Sequence, residues 1–129
     1  MSDSDLPESL QRFLRLSIPT FQAAELLLFL ASHPERPFTA VEIEEGMKPT
    51  VISAAAIKLY LNSLKDQKLI EGEMDSGYRF APASAELKEA VLDLNHAYNE
   101  RPVTLIRTIY AIAESKIQSF ADSFRLKMD

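Results

Sequence analysis

The chain has 129 residues, no cysteine and a net charge of −5, and its 47% hydrophobic content is enough to bury one core without disulfides or metals. A disulfide framework and a thiolate metal site are excluded, and the acidic balance opposes wholesale attraction to phosphate or to anionic lipid. Three glycines leave no room for GxGxxG or GxxxxGK(S/T), so nucleotide-dependent chemistry is not expected.

The first residues, MSDSDLPES, lack the basic and apolar regions of a secretion signal, so a cytoplasmic location is expected. Asp5 and Pro7 suit the cap and first turn of a short helix with Leu10, Phe13 and Leu14 on one face. Thr20 caps a second helix running to about Ser32, whose inward stripe is Phe21, Ala24, Leu27, Leu28 and Ala31. Its apolar run LLLFLA is far too short to span a bilayer, so no membrane partner is expected.

Thr39 and Glu42 have capping-box spacing and open a short third helix, about Ala40 to Glu45, with Gly46 placed to end it in a left-handed conformation. After MKP comes VISAAAIKLYLNSLKDQ, a helical pattern with Ile57, Leu61 and Leu64 on its buried face. Residues 69–82, LIEGEMDSGYRFAP, read as two strands around an Asp-Ser-Gly turn. Ile70, Gly72 and Met74 fall on one face with Glu71 and Glu73 on the other, and Tyr78 and Phe80 flank Arg79.

Ser84 caps a helix striped by Leu87, Val91, Leu94 and Tyr98, which NERP interrupts. Pro102 opens PVTLIRTIYAIAE, a helix apolar almost all round, and Ser115 with Gln118 repeats the capping-box spacing before a final amphipathic helix. A helix with no polar side must be covered on every side. One domain can cover one face; the other is expected to be covered by a homodimer, through Leu105, Ile109, Ile112, Phe120 and Phe124, the alternative being that the final helix folds back with Phe120 and Phe124 to cover it.

The expected fold is mainly α with a small β-hairpin. It is one domain in three parts: an N-terminal arm over 1–19, a helix-hairpin core over 20–82, and C-terminal dimerisation helices over 83–129. Helix, short helix, turn, longer helix and hairpin is the order of the winged helix-turn-helix. The stretch TAVEIEEGMKPTVISAAAIKLYLNSLKDQKLIEGEMDSGYRFAP resembles that of bacterial transcription regulators of the MarR-like group. The resemblance rests on Thr39, Ile43, Ile57, Leu61, Leu64, Leu69, Ile70 and the GYRFAP exit, which are nearly all packing positions.

The resemblance implies that the helix after the turn enters the major groove of DNA while the hairpin touches the backbone. Those roles would fall to Lys48, Thr50, Ser53, Lys58, Asn62, Lys65 and Arg79. The residue chemistry argues the other way. The alanine triplet 54–56 offers no base-reading group and is better explained by helix propensity and packing. From Ala40 to Pro82, five cations (Lys48, Lys58, Lys65, Lys68, Arg79) face seven acids (Glu42, Glu44, Glu45, Asp66, Glu71, Glu73, Asp75). A DNA-reading module carries the opposite balance.

Two readings therefore stand: a dimeric DNA-binding regulator, or a winged helix used for protein contact through Ala54, Ala55 and Leu59. No catalytic residue, cofactor or metal is expected. His96 with Glu100 has metal-ligand spacing but reads as a solvated helix face, and the carboxylate pairs Glu44–Glu45 and Glu71–Glu73 lack the burial that acid/base work requires.

Overall fold

The computed structural model describes residues 6–128, and their side chains as far as Ser119. Among these residues the chain is mainly helical. The elements run α1 (Glu8–Ser17), α2 (Phe21–Ala31), α3 (Ala40–Gly46), α4 (Ala54–Asp66), β1 (Ile70–Glu73), β2 (Gly77–Phe80), α5 (Ala85–Glu100) and α6 (Pro102–Met128). No single described helix is long and apolar enough to cross a membrane.

The helix starts follow from local polar chemistry. Thr20, Ser53 and Ser84 each accept the backbone N–H three residues on. Each bond satisfies one of the amides that a helix start leaves without a partner. Thr39 and Glu42 form the full capping box at α3, and Arg36 Nη2 donates to Glu42 Oε2 at 2.6 Å. These donors, the Thr39 amide first and Arg36 second, hold the Glu42 carboxyl below its usual range. At α1, Pro7 occupies the cap position without a side-chain bond, and Asp5 lies outside the described residues.

The core is built around α2, whose Ala23, Ala24, Leu26, Leu27 and Leu30 are all fully buried. Its expected one-sided stripe is thus too narrow, because α3, α4, α5, α6 and β2 all pack on it. Ile43 from α3, Ile57, Leu61 and Leu64 from α4, Leu94 from α5 and Leu105 from α6 fill the space between these elements.

The hairpin pairs antiparallel in the register Ile70↔Phe80, Glu71↔Arg79, Gly72↔Tyr78 and Glu73↔Gly77. Phe38, in the loop after α2, adds a third rung: its N–H donates to Tyr78 O and its carbonyl accepts from Tyr78 N, both at 2.8 Å. Gly77, at φ 90°, is required there, since a Cβ would stand 2.9 Å from the Phe38 carbonyl carbon. Met74 leaves the apolar face of the hairpin because β1 ends at Glu73, and it sits exposed in the turn.

Other sequence expectations are corrected. Gly46 is the last helical residue of α3 and not a left-handed cap; it is glycine because the ring of Phe29 lies where a Cβ would stand. No break occurs at Ser115: α6 runs unbroken from Pro102 to Met128. Capping-box spacing inside a continuous apolar-periodic run does not stop a helix, since the backbone bonds of the run are already made. Finally, Val51, Ile52 and Ser53 precede α4, with Ser53 as its cap.

Two outcomes follow for stability. Gly46→Ala should cost about 1–3 kcal/mol in urea unfolding, by overpacking against Phe29, and Phe29→Leu should recover part of that loss. For Glu42, a depressed carboxyl stabilises the fold above the unfolded-state pKa of about 4.3, and the contribution is lost as pH falls through the lower folded value. Glu42→Gln should therefore flatten the acid limb of stability measured between about pH 5 and pH 3.

Candidate protein- or nucleic-acid-binding face

Helices α3 and α4 and the hairpin form the side of the molecule on which the sequence places its binding residues. The turn between the helices is held by Thr50 N–H donating to Met47 O and by Gln22 Nε2 donating to Val51 O. The Lys48–Pro49 peptide bond within it is cis. Ile52 plugs the turn into the core, which leaves Val51 facing solvent at 88% exposure.

Helix α4 divides into two faces. Ile57, Tyr60, Leu61 and Leu64 are buried, while Ala54, Ala55, Lys58, Leu59 and Asn62 face outward. Leu59 is 65% exposed. The alanine triplet is thus not a packing device within the chain: only Ala56 packs on the core. The outward surface of α4 offers Val51, Ala54, Ala55 and Leu59, with Lys58 as its cation and Asn62 at the far end.

The cations of the hairpin are already engaged. Lys65 Nζ, reaching across from α4, donates to Gly72 O at 2.8 Å and to Glu73 Oε1 at 3.0 Å. The Glu73 bond holds the lysine above its usual pKa. Arg79, cross-strand from Glu71, donates through Nη2 and Nε to the same oxygen, Oε1, at 2.8 and 3.2 Å. Lys48 pairs with Glu45 at 3.1 Å. The acids of the hairpin therefore neutralise its few cations in place, and Asp75 at the turn adds a further negative charge.

Among the expected DNA-reading residues, Thr50, Lys58 and Asn62 lie on this side without a carboxylate partner, and Ser53 has its hydroxyl occupied as a cap acceptor from Ala56 N. Lys48, Lys65 and Arg79 are ion-paired. Ala54, Ala55 and Leu59 are exposed on the outward face of α4, which Lys58 and Asn62 share, and Val51, a residue that helical periodicity could not place because it precedes the helix, is exposed beside its start.

The expected dimer residues divide differently. Leu105 and Ile109 are closed off by the chain's own core, and Ile112 packs beside them toward α1. Leu105 and Ile109 are unavailable to a second copy, because α1, α2 and α5 already cover that side of α6. Phe120 and Phe124 lie outside the residues with described side chains. Solvent meets another row of α6, with Val103 59%, Tyr110 66% and Ile117 70% exposed and Ile106 and Ala113 half-buried at its edge.

His96 and Glu100 are both exposed on α5, and no group of three or more potential metal ligands gathers among the described residues. Two lesser hollows flank the body. One, of about 540 Å³, lies between the end of α2, Phe80 and α5; the other, of about 300 Å³, lies between α2, the α3–α4 turn and Tyr98. Tyr98 donates to Glu25 Oε2 at 3.2 Å, and burial together with that carboxylate raises its pKa.

Comparison with protein-family models, with curated proteins and with solved structures finds no match for this chain.

Proposed function

We propose that the chain is a homodimeric winged helix-turn-helix regulator whose α4 face docks a protein instead of reading bases. The helix-turn-helix assignment is supported by the order α2, α3, α4, hairpin, and by the Phe38 rung that gives the hairpin a third strand position. The observation that carries the mode of action is the outward surface of α4. Base readout needs donors and acceptors at the groove-facing positions; Val51, Ala54, Ala55 and Leu59 supply none, which leaves Lys58 and Asn62 as the polar groups of the outward face of α4. A partner of matching chemistry presents an apolar patch with a carboxylate at its edge, placed to meet Lys58.

DNA binding is the second reading, favoured by one observation: Lys58 and Asn62 are both exposed on the outward face of α4. On that reading Lys65 and Arg79 must give up Glu73 and Glu71 to reach phosphate. The test is immunoprecipitation of the tagged chain from its native cell, with bound DNA sequenced and bound proteins identified. Three variants should be compared with wild type. Ala55→Arg should remove the specific protein partner, with at least a tenfold loss of affinity once that partner is purified, while Lys58→Ala/Asn62→Ala/Arg79→Ala retains it. Enrichment of one DNA sequence that is lost in the triple variant and strengthened by Glu71→Lys/Glu73→Lys would instead establish the nucleic-acid reading.

The dimer rests on spacing along α6. Val103, Ile106, Tyr110, Ala113 and Ile117 recur at steps of three and four, a heptad seam that the sequence continues at Phe120 and Phe124. Two such seams cover each other by knobs-into-holes packing. Tyr110→Glu should give a folded monomer in analytical ultracentrifugation, because the residue faces solvent in the single chain. Ile109→Glu, one residue earlier, places a charge in the core and should cost about 4 kcal/mol or more, unfolding the chain and not merely separating it. A wild type that sediments as a monomer at micromolar concentration would end the dimer proposal.

A further inference from the structure

A further hollow among the described residues does not belong to the α4 face. It is an open cleft of about 780 Å³ between α1 and the middle of α6, within the size range of small-molecule sites. Its floor includes Leu6 and Ile112, and its walls carry Arg15, Arg107 and Lys116. No Asp or Glu is among the described residues that line it. In a chain with 14 cations and 19 acids, three cations lining one cleft with no acid among its described lining residues run against the overall balance.

The contrast with the hairpin sharpens this. There, Lys65 and Arg79 each hold a carboxylate, whereas Arg15 and Arg107 have no carboxylate partner among the described residues. Lys116 is fixed in place, since its Nζ donates to Arg15 O at 2.6 Å, at the carbonyl end of α1. That bond joins the two walls and leaves further N–H groups on the ammonium to donate. Hydroxyls of Thr104 and Ser115 add neutral donors along the same wall of α6.

We infer that the α1–α6 cleft binds a small organic anion, with a carboxylate or phosphate head gripped by Arg15, Arg107 and Lys116 and an apolar body resting on Leu6 and Ile112. The two guanidinium groups present planar forks suited to an oxyanion, and charge-assisted bonds of this kind are the strong ones. The cleft and the heptad seam lie on opposite flanks of the buried stripe of α6, so ligand and second copy do not compete for the same side chains. The inference stands independently of the proposed function.

The test is isothermal titration of the full-length protein with phenyl phosphate, phenylacetate and the neutral 2-phenylethanol. Saturable binding of one anion per chain is expected for either or both of the first two, with the alcohol at least tenfold weaker. Preference between phosphate and carboxylate identifies the head group. Arg15→Gln/Arg107→Gln should reduce anion affinity at least tenfold with an unchanged circular dichroism spectrum, and Arg107→Lys alone should lose less than Arg107→Gln. Equal binding of the alcohol, no saturable anion binding, or affinity unaltered in the double variant would overturn the proposal. So would a single-stranded oligonucleotide that binds through the same arginines at lower concentration than either small anion, which would make the cleft a site for a nucleic-acid backbone.

Discussion

Everything in this molecule is arranged around the burial of α2. A helix that is apolar on nearly every side cannot stand at a surface, so five other elements must close over it, and their places are fixed by where its side chains project. Helix α4 is held on one side by Ile57, Leu61 and Leu64, and α6 on another by Leu105 and Ile109. Because each packed helix turns one stripe inward, its outward stripe is determined at the same time. The outward face of α4 and the heptad seam on α6 are the other halves of helices whose first halves serve the core.

The hairpin raises a question of charge that its geometry answers. Glu71, Glu73 and Asp75 would repel phosphate if the hairpin had to meet it. Glu71 holds Arg79 across the ladder within the hairpin, and Glu73 holds Lys65 from α4. These are exposed pairs, each contributing little to stability in water. Their effect is on the field: pairing Lys65 and Arg79 with Glu73 and Glu71 offsets the positive charge that the two cations would otherwise present.

Much of the fold was legible in the sequence. Thr20, Thr39 and Ser84 announced their helices because capping is a local contract between a side chain and amides three residues away. The core faces of α1, α4 and α5 followed from periodicity. What failed was whatever depended on neighbours distant in sequence. Gly46 looked like a cap because nothing local reveals Phe29 beside it, and the alanine triplet looked like packing because propensity is blind to which face is covered. For α6, an all-round apolar pattern announced two partners but not which residues met which, so Leu105 and Ile109 were assigned outward when the core claimed them. The cleft was invisible for the same reason: Arg15 and Lys116 are 101 positions apart.

The Phe38 rung carries a consequence for how the hairpin meets anything at all. Two backbone bonds to Tyr78 anchor the root of β2 to the loop leaving α2, Arg36 stacks over the Phe38 ring at 4.0 Å, and Gly77 has no room for a side chain there. The hairpin is thereby a fixed ridge continuous with the body, unlike an arm that swings to suit its target. Recognition by a surface of this kind has its ordering entropy settled during folding. Shape selects the partner: a complementary surface loses little freedom on docking, and a mismatched one finds no hinge at the Phe38 rung that would let the ridge yield.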